Sequence, residues 1–459
     1  METQERSRML GTMEMGRLVP KVSIPIMISM MVQAMYNVVD GIFVAKYSAA
    51  ALTAVSLAYP IQMLMIAVST GLGVGFNSLI SRKLGEKRAE EAREAAKNGL
   101  FTELCGYLLF LVFGLFLAKP FFNLFTPEAE LQELGGEYLS IVCVFSFGLF
   151  FGICFERMMQ ATGNTVLSMV TQMTGAVINI ILDPIMIFGL LGFPAMGVAG
   201  AAIATVIGQI GGMTLGLVLN QAKNVELRLH LKGFRPDKTI LKGILDVGFP
   251  SIIMQSISSV MNVLMNMILL GFGTAAVNVL GVYFKLQSFV FMPVFGLSNG
   301  LVAILGYNYG ARMRKRVYDA LKVALIWAAA IMLLGMLAFL LMPETLLSLF
   351  ESGDARELTA MGVVALRVIS LSFLLAAVGI TISTLFQAVG KGFYSLLMSL
   401  CRQLIVLLPA AWLLSKTGSV DAVWWSFPIA ELVSVAICLS LYRHVDKTML
   451  QKLTTLQEI

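Results

Sequence analysis

The sequence predicts an all-α polytopic membrane protein: twelve transmembrane helices in two six-helix lobes related by a pseudo-twofold axis. Three observations predict it. Apolar stretches long enough to span a bilayer, about 18 residues or more, recur along the whole chain. Basic residues gather in alternate loops. The first half of the sequence also matches the second. Composition agrees, with 58% of 459 residues hydrophobic, 13% charged and a mean hydropathy of +0.84. An ordinary soluble domain carries about 25% charged residues.

The apolar segments, in order, are 18–45, 51–81, 97–119, 135–161, 165–191, 196–219, 241–271, 276–306, 318–342, 359–389, 393–415 and 419–442. The leader carries charges of both signs, and the first run is too long for the core of a cleavable signal peptide, so none is expected. Arg6, Arg8, Arg17 and Lys21 open the chain. Arg82, Lys83, Lys87, Arg88 and Arg93 join segments 2 and 3. Lys223, Arg228, Lys232, Arg235, Lys238 and Lys242 lie between segments 6 and 7, and Arg312, Arg314, Lys315 and Arg316 between 8 and 9. The intervening loops hold Lys46, Lys119, Arg356 and Lys416 beside Glu128, Glu130, Glu133 and Glu344. By the positive-inside rule the basic loops and both termini are cytoplasmic. Topology therefore accounts for the net charge of +6, and no nucleic-acid partner is expected.

Shifted by 225 residues, the chain matches itself without a gap from Pro25 to Leu100. Pro25 pairs with Pro250, Asn37 with Asn262, Gln62 with Gln287, Gly71 with Gly296, Gly75 with Gly300, Gly85 with Gly310 and Lys97 with Lys322. Gln160-Ala161-Thr162-Gly163 matches Gln387-Ala388-Val389-Gly390 in a second register. Both copies of the loop after the second helix are basic, so the halves run the same way through the membrane. The expected domains are an N-terminal lobe 1–219, a cytoplasmic linker 220–240 and a C-terminal lobe 241–459 with a short cytoplasmic tail.

Cys105, Cys143, Cys154, Cys401 and Cys438 fall inside apolar runs without metal-ligand spacing and read as packing residues. His230 and His444 lie in cytoplasmic segments, which leaves carboxylates for any intramembrane proton work. No phosphate-binding loop or zinc motif is present, so energy for transport must come from an ion gradient or a partner. The absence of intramembrane histidine also weighs against an intramembrane enzyme.

The candidate site starts from Asp40 in segment 1 and Asp183 in segment 5. A carboxylate at the centre of a spanning helix costs roughly 2.5–3.5 kcal/mol on insertion scales, so such groups usually face the bundle interior and serve ions or substrate. A purely structural polar contact between helices is the alternative. Gln33, Tyr36, Asn37 and Asp40 share one helical face, and Asn179 lies one turn from Asp183. Both acids fall in the outer half of the bilayer at similar depth. Two carboxylates meeting there repel, so a proton or Na+ is held between them.

Two six-helix lobes, the intramembrane Asp40, the stretch Asn179-Ile180-Ile181-Leu182-Asp183-Pro184, and Gly197 to Thr205 together resemble the multidrug and toxic compound extrusion (MATE) family. The turn Tyr307-Asn308-Tyr309-Gly310-Ala311 resembles its Firmicutes multidrug-pump branch. The resemblance implies a V-shaped pair of lobes around a central cavity. It implies export of lipophilic organic cations in exchange for H+ or Na+, with the coupling site on Asp40, Asn179, Asp183 and Thr205. Such a protein sits in the bacterial cytoplasmic membrane among lipids, works as a monomer and needs no cofactor beyond the coupling ion. Pro25 is the expected hinge of helix 1, where a proline permits a bend.

The C-terminal lobe has Met265 in place of Asp40 and Ala410 in place of Asp183, so a second cation site is not expected there. Arg402 and Glu431 read as an ion pair. The cavity wall is expected to draw on Gln33, Tyr36, Asn37, Met63, Asn262, Tyr283, Gln287, Phe291 and Met292, in a chain with 29 Met and 29 Phe. Lys285, Arg367 and Arg402 keep open an alternative, a flippase for a lipid-linked precursor, which would need cations lining the cavity.

Overall fold

The computed structural model of the protein describes residues 5–349 and 356–453. Residues 454–459 of the expected C-terminal tail, and the side chains of Arg6 and Arg356, lie outside that description. The described residues form helices and turns, with no strand among them. Twelve spans follow one another, ten as single helices or nearly so and two as bent pairs. They are α1 (Met15–Tyr47), α2 (Ala49–Gly85), α3 (Ala89–Phe125), α4 (Ala129–Val144 bent into Phe147–Ala161), α5 (Thr165–Phe188) and α6 (Gly197–Lys223). The second half gives α7 (Lys238–Leu270), α8 (Thr274–Gly310), α9 (Arg314–Leu341), α10 (Thr359–Ser370 bent into Phe373–Ala388), α11 (Gly392–Ser415) and α12 (Val420–Leu450). The helices run past the apolar segments because polar residues continue them into the interfaces. α1 has 33 residues, about 50 Å at 1.5 Å each, well over the roughly 30 Å hydrocarbon core.

The repeat survives in local geometry. The two bends, 42° in α4 and 48° in α10, occupy matching places. At each, a serine hydroxyl bonds back to a carbonyl three residues earlier, Ser146 Oγ to Cys143 O at 2.8 Å and Ser372 Oγ to Ile369 O at 2.6 Å. That competition with the helix ladder bends the chain. After α2 and α8, Lys87 and Arg312 both take the left-handed conformation, at φ 60° and 56°. Gly163 and Gly390 do the same at φ 78° and 82°.

The lobes meet through two symmetry-related pairs, α2 on α7 and α8 on α1. The repeated glycines make these contacts. A Cβ on Gly71 would stand 2.8 Å from Ile252 N, and one on Gly296 would stand 2.8 Å from Met27 N. A Cβ on Gly75 would lie 2.3 Å from Ile244 O, while one on Gly300 would meet Ser23 Oγ at 2.7 Å. Only glycine permits backbones that close. These contacts and the buried runs 71–81 and 300–308 lie at the end of the bundle that carries the basic loops. Towards the other end, Met35, Val38, Tyr59, Val263 and Met267 of α1, α2 and α7 are exposed. The paired lobes thus close at the basic end and part at the opposite one.

The lobes join through 224–237, shorter than the expected linker because α6 continues to Lys223 and α7 starts at Lys238. The linker is tied to the first lobe: Asn224 Nδ2 donates to Met158 O at 3.3 Å, and the Asp237 amide donates to Asn98 Oδ1 at 3.0 Å. Asp237 then caps α7, accepting from the amides of Thr239 and Ile240.

Candidate functional site

The Asp40 and Asp183 carboxyls face each other at close range, brought together by the packing of α1 on α5. Asp183 is fully buried and Asp40 half-buried. Asn179 Nδ2 donates to Asp183 Oδ1 at 3.4 Å and to Thr205 Oγ1 at 3.2 Å. Glycine explains why Thr205 comes so near. On either side of it, a Cβ on Gly200 would stand 2.4 Å from Met186 O, and one on Gly208 would stand 2.7 Å from Gly175 O. With side chains there, α6 would be held off α5 and the Asn179–Thr205 bond would be lost.

Three acceptors in this cluster, Asp40 Oδ1, Asp183 Oδ2 and Asn179 Oδ1, are buried without a protein donor among the described residues. Buried acceptors are normally satisfied. A set of oxygens alone, two of them acidic, is what a proton or a hard monovalent cation requires.

Tyr36, expected in the cavity wall, instead lies against Thr205 and near Asp40, at the edge of this cluster. Two contributors escaped the sequence reading. Tyr138 of α4 is buried close to Asp40 and Asp183, and its hydroxyl accepts from Gln62 Nε2 at 2.9 Å. Gln62 is one of the repeat-identical residues, a signal read only as architecture. Tyr138 sits beside acidic residues near a segment end and carries no local signal.

The other wall residues divide. Gln33 accepts from Gln172 Nε2 at 3.0 Å, which ties α1 to α5. Met63, Asn262, Gln287 and Met292 are half-buried, and Asn37 is exposed. Tyr283 does not line an open cleft. It is 1% exposed and packs inside the second lobe against Phe284, Phe339 and Phe427, with ring centroids 5.2, 6.3 and 5.9 Å away. Phe291 leans on Phe373, a centroid distance of 5.3 Å. An inward-facing α8 side chain finds aromatic partners on α9, α10 and α12, a packing gain the sequence pattern does not locate. The floor of the cleft is marked by Thr70 Oγ1 donating to Gln255 Oε1 at 2.8 Å across the lobes.

Pro25 lies well inside α1, which begins at Met15. It stands level with the Met27–Gly296 contact, where α1 passes from its packing on α8 into the cleft. Arg402 Nη1 lies 3.3 Å from Glu431 Oε1. Arg367 is exposed and donates to Leu340 O at the end of α9. Lys285 is exposed.

The family profile MatE matches residues 25–185 and 250–413, two matches that begin at Pro25 and at its repeat partner Pro250. The chain belongs to the MatE family. Among MatE relatives, the multidrug export protein MepA of Staphylococcus haemolyticus (strain JCSC1435) is 26% identical over 412 residues, 90% of this chain and 89% of that one. A MOP superfamily transporter from Pyrococcus furiosus, described as having a binding pocket of reverse polarity, superposes with a TM-score of 0.91 at 27% identity, over 97% of this chain and 98% of that one. An outward-facing multidrug-resistance MATE transporter superposes with a TM-score of 0.90 at 26% identity, covering 98% and 99% of the two chains. This MatE protein is thus a multi-pass membrane transporter with the two-lobed MATE fold.

Proposed function

We propose that this chain is a secondary active multidrug exporter that moves lipophilic organic cations outward in exchange for inward H+ or Na+. The observation that carries the reading is the set of three undonated oxygens on Asp40, Asp183 and Asn179 inside one lobe. The relatives named for multidrug export support the cargo. On this reading the basic end is cytoplasmic and the described state opens outward.

Without a cation the two carboxylates repel, which loosens the packing of α1 on α5. A proton or Na+ arriving from outside removes the repulsion. α1 then shifts, with the fixed point at Pro25, where the missing backbone bond makes bending cheap. The shift changes the wall that α1 gives to the cleft, releases drug outward and lets the lobes rock about the glycine contacts. A lipid-linked flippase would need cations lining the cleft. Of its three candidate cations, Arg402 is engaged with Glu431 and Arg367 with the end of α9, which leaves Lys285 as the remaining candidate, so the acidic site favours the exporter.

The test is ethidium transport in everted vesicles with the pH gradient and the Na+ gradient collapsed separately. Loss of transport under one of these treatments is expected; transport indifferent to both sinks the coupling. Asp40 and Asp183 are also expected to act as one unit. The Asp40→Asn and Asp183→Asn double variant should export little worse than the weaker single variant. Multiplying losses in rate would assign the two acids to separate steps.

A further inference from the structure

The spans of the second lobe also enclose an acid, largely but not fully. Glu431 of α12 is paired with Arg402 of α11, with side chains 13% and 22% exposed. Arg402 lies in a π-helical stretch, Cys401–Leu407, an interruption of regular helix that recurs at functional sites. Glu431 Oε2 is buried without a donor among the described residues. Tyr283 of α8 faces the pair, and Cys438 lies farther along α12. The packed half of α10, Phe373–Ala388, brings no ionisable side chain, while Arg367 bonds at its outer end and Asp421 is exposed.

By the repeat, α11 and α12 are the counterparts of α5 and α6, the helices that carry Asn179, Asp183 and Thr205. Met261 and Met265 of α7, both buried, stand at the positions of Tyr36 and Asp40. The second lobe thus has no acid at the counterparts of Asp40 and Asp183; its acid, Glu431, lies on the counterpart of α6 and faces a guanidinium, Arg402, on the counterpart of α5.

We propose that Arg402 is a built-in, non-exchangeable cation: it neutralises Glu431 permanently, as a travelling H+ or Na+ neutralises Asp40 and Asp183 for part of the cycle. This rests on the coupling reading above. A guanidinium stays charged throughout the physiological pH range and cannot leave its chain. The second lobe is then locked in the neutralised condition that the first reaches only when loaded, and only one lobe couples. Removing the guanidinium should turn Glu431 into an exchangeable site.

The test uses full-length protein carrying Asp40→Asn and Asp183→Asn, so that the acid pair no longer titrates. Thermal unfolding in detergent is followed from about pH 5.5 to about pH 8.5. In Arg402→Gln, Glu431, with its Oε2 buried and its cation gone, is expected to keep a proton in the folded state that the unfolded chain gives up. The native state then binds more protons, and stability falls as pH rises. Tm is expected to fall by several degrees more across that range than it does when Glu431→Gln is added or in Arg402→Lys. Identical slopes with and without Glu431→Gln overturn the proposal. Glu431→Gln in the native background is the second arm and does not depend on Arg402→Gln folding. It should lower Tm, because Arg402 is left part-buried and without its carboxylate, and Arg402→Gln added to it should restore part of the loss. The export that remains should keep its H+ or Na+ dependence. Normal folding with that dependence lost would place exchange in the second lobe and refute the proposal. Retained coupling in Asp40→Asn, Asp183→Asn would instead sink the coupling reading itself.

Discussion

Asp183→Asn is expected to abolish ion-driven ethidium export while leaving the protein folded in the membrane. Asp183 is fully buried and fixed by Asn179 Nδ2 at 3.4 Å, and its other oxygen has no donor among the described residues. Asparagine nearly matches its shape, so the α5–α6 packing at Gly200 and Gly208 is kept. What is lost is the second negative charge. The site can then no longer take up and release a proton or hold a cation with two acids. Because the substitution also removes a like-charge contact, detergent Tm should hold or rise. The combination of normal Tm with export at the vesicle background identifies a coupling residue. Full ion-driven export by Asp183→Asn at normal expression would remove the site from the mechanism.

Alanine at Gly85 or Gly310 is expected to hold the basic end of the cleft open. A Cβ on Gly85 would lie 2.0 Å from Tyr307 O, and one on Gly310 would lie 2.1 Å from Arg82 O. Both obstacles are backbone, which cannot swing aside. Overpacking of this kind typically costs about 1–3 kcal/mol, enough to change a two-state population by about 5- to 150-fold. Only the state in which the lobes touch at this end bears the cost. Export should therefore fall in both variants, by similar factors, since the two contacts are related by the repeat. The readout is maleimide labelling of Ser78→Cys in a cysteine-free background. Ser78 is fully buried, with its hydroxyl donating to Gln387 O across the lobes at 2.6 Å. Labelling should be slow in the parent and at least several-fold faster with Gly85→Ala or Gly310→Ala. Equal labelling rates would show that this contact does not close the cleft.

Much of this protein was determined by its sequence alone. Twelve spans follow from the length of apolar runs, because lipid leaves no alternative to a helix that satisfies its own backbone. The parallel arrangement of two lobes follows from the 225-residue self-match and the placing of lysine and arginine. Asp40 and Asp183 announce themselves because a charge in hydrocarbon is costly, and Asn179 follows from its one-turn spacing. Tertiary structure decided which side chains from different helices meet. The closeness of Thr205 to Asn179 depends on glycines on two helices, and the inclusion of Tyr36, Tyr138 and Gln62 depends on how α1, α2 and α4 rotate about their axes. None of these is set by any single segment's periodicity. The fate of Tyr283 shows the same limit: its spacing allows either the cleft or the interior, and ring packing against Phe284, Phe339 and Phe427 settles it. A sequence fixes which residues share a helical face; only the assembled bundle, with its backbone approaches through glycine and its aromatic packing, decides what that face meets.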